Sequence, residues 1–149
     1  MGWVDSLRGS TVGLDTGPLI YYIEEHPTFL SRVAPFFEAA ERGEFRVVTS
    51  LVTLTNLIEV LVQPLREGHH KLAQDYRDVL LQSANLTPVP LDEGIAEQAA
   101  ELRARHKLRT PDAIQLATAL RSGASWFLTS DADLPEISGI STLVLKRLP

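Results

Sequence analysis

The sequence predicts an α/β protein: a three-layer α/β/α sandwich built on a mostly parallel sheet of about five strands. Three observations predict it. Short β-type runs alternate along the chain with stretches of helical periodicity, the pattern of a parallel sheet covered on both faces. The 149 residues suit one domain. Hydrophobic content of 44% and charged content of 22% are ordinary for a globular chain. No solenoid-type repeat, low-complexity tract or linker interrupts the alternation.

The elements follow in order. Thr11-Val12-Gly13-Leu14 reads as a strand ending at Asp15. A short helix follows Gly17-Pro18, where proline suits a first turn. From Thr28 to Arg42, Phe29, Val33, Phe36, Phe37 and Ala40 recur at helical spacing until Gly43 stops the pattern. Phe45 to Thr49 is a second strand. Ser50 can cap a helix running to about Val62 and broken at Pro64. Glu67 to Ser83 is another helix, and Leu86 to Val89 a short strand. Asp92 to His106 is helical, with Ile95, Ala99 and Leu102 on its apolar face. Thr110 as cap and Pro111 as first residue open a helix ending near Gly123. Trp126 to Thr129 and Thr142 to Leu145 complete the strands.

Composition narrows the function. The longest apolar runs fall far short of the ~18 residues that span a bilayer. The first residues show no basic region followed by an apolar stretch, so no secretory signal is expected, and a cytoplasmic protein is the default. The absence of cysteine excludes disulfides and thiolate metal sites. The net charge of −5 counts against a plain nucleic-acid-binding module, which must neutralise phosphates. It does not exclude a nuclease whose carboxylates converge on a divalent metal, because the ion reverses the local sign.

In a parallel sheet ligands bind outside the carboxyl ends of the strands. That rule selects among the 19 acidic residues. Asp15 closes the first strand; the alternative is a helix N-cap. Asp112 stands in the first turn of its helix, where the dipole alone would explain it. Asp131 and Asp133 follow the strand Trp126 to Thr129; the alternative is an Asp-rich turn, weakened by the repulsion of two like charges one residue apart. Glu59 lies among Leu54, Leu57, Ile58, Val60 and Leu61 with no basic residue within one turn, so it is the acid least explicable as surface. Oxygen ligands of this kind suit Mg2+ or Mn2+. Such ions hold a phosphate, activate a water and stabilise the leaving oxygen of an in-line displacement. Glu59 or Asp131 is a candidate general base for that water.

With these residues in view, the chain resembles the PIN-domain ribonucleases, especially the toxin halves of VapBC-type toxin–antitoxin pairs. The matching stretches are Leu14-Asp15-Thr16, Ser50 through Glu59 to Pro64, Pro111-Asp112-Ala113 through Ala119, and Phe127 through Thr129-Ser130-Asp131 to Leu134. They come in the family's order and span nearly the whole chain. The resemblance implies a single PIN domain over residues 1–149, with residues 1–10 as an N-terminal extension. It implies a Mg2+- or Mn2+-dependent endoribonuclease of single-stranded RNA, leaving 5′-phosphate and 3′-hydroxyl ends. Its metal ligands would be Asp15, Glu59, Asp112 and Asp131, with Asp133 as an additional acid. Thr16 and Thr129 match hydroxyl positions that steady the cluster. A homodimer and a small cognate antitoxin are the implied partners, with no membrane. Two departures stand out: Val4-Asp5-Ser6 mimics the family's start, and Gly17 stands where a serine is usual, which would remove a hydroxyl near the site.

Other residues carry weaker signals. Arg66, Lys71, Arg77, Arg103, Lys107 and Arg109 are candidates for substrate phosphates, although solvated helix faces explain most of them. His26 and His106 read as caps or surface, and His69 and His70 as a surface turn. Leu19, Ile20, Tyr21, Tyr22, Phe36 and Phe37 belong either to the core or to a dimer or antitoxin surface. The rival readings are a phospho-acceptor protein using Asp15 with Lys146 as its late lysine, a PIN nuclease of RNA processing without an antitoxin, and a non-catalytic RNA- or protein-binding domain of the same fold.

Overall fold

The structure, a computed structural model, describes residues 2–53, 66, 68 and 70–149. Five strands form a single sheet: β1 (Thr11–Leu14), β2 (Arg46–Ser50), β3 (Leu86–Val89), β4 (Trp126–Thr129) and β5 (Ser141–Val144). Every pairing is parallel, in the order β3-β2-β1-β4-β5. Among the described residues the helices are α1 (Thr16–Ile23), α2 (Leu30–Glu41), α3 (His70–Gln82), α4 (Glu93–Arg105) and α5 (Thr110–Arg121). Pro88 is tolerated in β3 because that strand is at the sheet edge, where one side of its backbone has no ladder to complete.

The sheet divides the apolar interior into two layers, as a sheet covered on both faces requires. Val12, Leu14, Val47 and Leu128 face one way and pack with Leu19, Val33, Phe36, Tyr76 and Leu80 from α1, α2 and α3. Phe127 faces the other way, among Ile95, Ala99, Leu102, Ala113, Leu116 and Ala117 of α4 and α5. The alternation along β1 and β4 follows from the two-residue period of a strand. Gly13 faces α5, and a Cβ there would lie 2.5 Å from the Ala119 Cβ. Glycine and alanine together therefore let α5 approach β1 closely.

Several expected boundaries shift for local reasons. The second helix starts at Leu30 instead of Thr28, because His26 Nδ1 accepts hydrogen bonds from the amides of Thr28 and Phe29 and holds them in a turn. In α5 the cap is Arg109, not Thr110, which is already helical. Residues 3–7, before the first strand, dock on the core. They form a turn of 3-10 helix whose Leu7 is fully buried and whose Trp3 stacks on Phe36 at 6.0 Å. Asp5 caps that turn through the Gly2 amide at 3.0 Å, so the Val4-Asp5-Ser6 stretch does local work. Leu19, Phe36 and Phe37 are core residues, while Ile20, Tyr21 and Tyr22 are partly buried against them.

Candidate active site

Chain order places β2 and β3 on one side of β1, then β4 and β5 on the other. The carboxyl ends of β1 and β4 thus flank a topological switch point, where open α/β sheets form ligand crevices. A cleft of about 280 Å3 opens there, lined by Asp15, Thr16, Gly17, Arg109, Pro111, Asp112, Gln115, Ser130 and Asp131. Three of the expected acids meet in it from three elements: Asp15 after β1, Asp112 from the first turn of α5, and Asp131 after β4.

Asp15 is fixed on both oxygens. Oδ1 accepts the Thr16 amide at 2.8 Å, which makes Asp15 the N-cap of α1 as well as a cleft residue. Oδ2 accepts the Thr129 hydroxyl at 2.7 Å. The same hydroxyl accepts the Asp131 amide at 3.1 Å, so Thr129 ties the two acidic loops together. Burial pushes the Asp15 carboxyl above its ordinary value. The bonds from Thr129 and Thr16 oppose that rise, and the negative charges of Asp112 and Asp131 add to it. Asp112 is paired with Arg109, whose Nε donates to Oδ2 at 3.1 Å.

The Asp131–Asp133 pair divides its roles. Asp131 is partly buried and lines the cleft. Asp133 is exposed, and its amide donates to the Asp131 carboxylate at 2.9 Å. The stretch is therefore an Asx-type turn that aims Asp131, and the turn and site readings hold together. Glu59 lies outside the described residues.

Two cleft residues carried no role in the sequence reading. Gln115 is fully buried one turn after Asp112. Its Oε1 accepts the Ser50 amide at 3.0 Å, and its Nε2 donates to the Thr53 hydroxyl. Thr53 lies 3.1 Å from Thr49, whose hydroxyl donates to the Leu14 carbonyl at 2.8 Å. Since each hydroxyl has one hydrogen, the chain runs in one direction, from Gln115 through Thr53 and Thr49 to Leu14. It locks the carboxyl ends of β1 and β2 to α5 beneath the acids. An amide side chain three positions after Asp112, within the mostly apolar run of residues 113–120, was the available signal. Ser130 is the second. A Cβ on Gly17 would fall 2.0 Å from the Ser130 hydroxyl, so Ser130 fills the space beside Gly17 and a hydroxyl remains at the site.

Among the described residues, no group of three His, Asp or Glu side chains forms a ready-made cage for a metal ion. The donor set nevertheless suits a hard divalent cation. Its donors are all oxygens, its carboxylates repel one another, and the buried Thr16 hydroxyl lacks a hydrogen-bond partner among the described residues. Of the six basic residues named above, Arg109 lines the cleft. Arg66, Lys71, Arg77, Arg103 and Lys107 lie on exposed surface away from it, as solvated helix faces and loops do. Lys146 is exposed and does not line the cleft, which removes the lysine that a phospho-acceptor site would need.

Solved structures share this architecture. The VapBC2 structure from Rickettsia felis, bound to a DNA fragment from its promoter, aligns with a TM-score of 0.70 at 16% identity, over 90% of this chain and 98% of that one. A toxin–antitoxin complex from Klebsiella pneumoniae aligns at 0.60 and 24% identity, over 89% and 97% of the two chains. The sarcin–ricin-loop-cleaving toxin VapC20 of Mycobacterium tuberculosis aligns at 0.65 and 19% identity, over 83% and 92%. No curated protein sequence matches the chain. The sequence model of the PIN domain matches residues 12–140, from β1 to the turn before β5 and so through every acid of the cleft, and the chain belongs to the PIN domain family.

Proposed function

We propose that the chain is a Mg2+- or Mn2+-dependent endoribonuclease of single-stranded RNA and the toxin half of a VapBC-type pair. One observation carries the nuclease reading: Asp15, Asp112 and Asp131, far apart in sequence, converge on the β1–β4 switch-point cleft, where burial raises the Asp15 carboxyl and the charges of Asp112 and Asp131 add to the rise. Asp15, Asp112 and Asp131 would hold the cation, together with Glu59 from the segment after β2, and Asp133 would serve through its amide. A hard divalent ion supplies positive charge to a phosphate oxygen and to the attacking water.

The protein's own residues prepare that chemistry. Thr129 and the Thr16 amide fix the Asp15 carboxylate, so its oxygens need no reorganisation when a cation arrives. Thr129 also holds the Asp131 loop, which keeps the two carboxylates in a constant relation. The Gln115 chain keeps α5, and with it Asp112, in register with β1. The toxin assignment draws support from the similar structures, two of which are toxin–antitoxin assemblies. A small antitoxin is therefore the expected partner, and a second copy of the chain is the partner that the family resemblance implies. No helix among the described residues is long and apolar enough to cross a membrane.

The test is cleavage of single-stranded RNA by purified protein with Mg2+ or Mn2+, followed on gels with end-group analysis. Wild-type protein should leave 5′-phosphate and 3′-hydroxyl ends. Asp15→Asn and Asp112→Asn should cut at background rate while keeping the wild-type circular dichroism spectrum. Metal-dependent cleavage by either folded variant overturns the assignment.

A further inference from the structure

The geometry points to Arg109 as the residue that grips a substrate phosphate at the cleft, and as the counter-cation of Asp112 until a divalent ion arrives. This inference rests on the nuclease reading above.

A chain of net charge −5 that binds RNA at a cluster of carboxylates needs a cation at the cleft itself. Arg109 is the basic side chain among the described residues that lines it. Its Nε is tied to Asp112, which is only 14% accessible, while the Arg109 side chain is 80% accessible. The Nη groups have no protein partner among the described residues. Arg109 is therefore anchored at its root and open at its fork, and a guanidinium fork suits two phosphate oxygens. As the N-cap residue of α5, Arg109 also stands at the positive end of the helix that carries Asp112.

The same pairing competes with metal. Asp112 carries one negative charge, and a divalent ion on that carboxylate weakens its hold on the guanidinium. An exposed ion pair is weak enough to yield. Arg109 would then swing from Asp112 to the phosphate brought in by the RNA. Asp112 thereby couples the two events, since metal binding frees Arg109 to grip the phosphate.

Two affinities test this, neither of them a cleavage rate. Mn2+ binding is measured by calorimetry without RNA. Binding of a labelled single-stranded RNA is measured by fluorescence anisotropy with Ca2+, which takes the same kinds of oxygen ligand. Arg109→Ala should bind Mn2+ about two- to fivefold more tightly, because a competing cation is gone. It should bind RNA about two- to fivefold more weakly, with a log–log salt slope smaller by about 0.7, the value for one phosphate on a single strand. Arg109→Lys keeps a point charge without the fork, so it should keep the wild-type salt slope and show an intermediate RNA affinity. Unchanged RNA affinity and salt slope in Arg109→Ala would overturn the phosphate role. Weaker Mn2+ binding by Arg109→Ala would overturn the competition and make Arg109 a strut for Asp112. Failure of the nuclease reading shows separately, as cleavage by Asp15→Asn.

Discussion

Gly13→Ala offers a probe of the site from a position that touches no substrate. The added Cβ would lie 2.5 Å from the Ala119 Cβ and 2.9 Å from Phe127 Cδ1. Carbon atoms rest at about 3.5–4.0 Å, so α5 must retreat from β1 by about 1 Å or more. The Phe127 ring can turn slightly, but the Ala119 methyl belongs to the helix and moves only with it. Overpacking of this kind costs about 1–3 kcal/mol. The displacement has a functional consequence, because β1 ends at Asp15 and α5 begins with Asp112. A misplacement of about 1 Å between reacting groups can cost roughly 100-fold in rate. Urea unfolding followed by tryptophan fluorescence gives the stability, and the RNA cleavage assay gives the rate. Ala119→Gly alone should cost about 1 kcal/mol from helix propensity. In the double variant the clashing methyl is gone. Its loss should therefore be smaller than the sum of the single losses by about 1 kcal/mol or more. A Gly13→Ala protein within about 0.5 kcal/mol of wild type, or strict additivity in the double variant, would refute the close β1–α5 contact and the mechanical link drawn from it.

Two more predictions concern the site's electrostatics and its support. Because the folded chain raises the Asp15 carboxyl, the folded state binds more protons than the unfolded one between the ordinary carboxylate value and the raised one. Stability of the metal-free protein should therefore fall as pH rises through that window, then level off above it. Asp15→Asn should lack this loss, melt higher than wild type at neutral pH in EDTA, and gain less from added Mg2+; a lower melting temperature in EDTA would contradict the burial argument. Gln115→Leu should destabilise the fold by about 1–3 kcal/mol in urea, because the Ser50 amide and the Thr53 hydroxyl lose a buried partner. Wild-type stability in that variant would show that the polar chain beneath the acids does not hold α5 in place.

Much of the fold was legible because parallel sheets leave a strong signature. Strands buried on both faces, such as Thr11–Leu14 and Trp126–Thr129, read as short continuous apolar runs, and helices such as Glu93–Arg105 carry a periodic stripe. The ends were less legible. Two amide bonds to the His26 ring delay α2, and Arg109, with no side-chain cap bond, occupies the cap of α5 instead of Thr110. A five-residue 3-10 segment has no period to detect, so the docking of Leu7 and Trp3 on the core is visible only in the structure.

The sequence by itself determined the alternation of strands and helices, the single parallel sheet, and the list of acids at strand ends and a helix start. These are local properties: periodicity, caps and charge against an apolar background. Only the tertiary structure decided which acids share a cleft. Asp15, Asp112 and Asp131 meet because strand order reverses across β1, and no local pattern encodes strand order. The structure also decided that Asp131 faces the cleft while Asp133 supports it, that Ser130 fills the space beside Gly17, and that Gln115 braces α5 from beneath. The last two depend on residues meeting across tens of positions of chain. Distances of that kind are fixed by packing the two faces of the sheet, the step at which a list of acidic residues becomes a site.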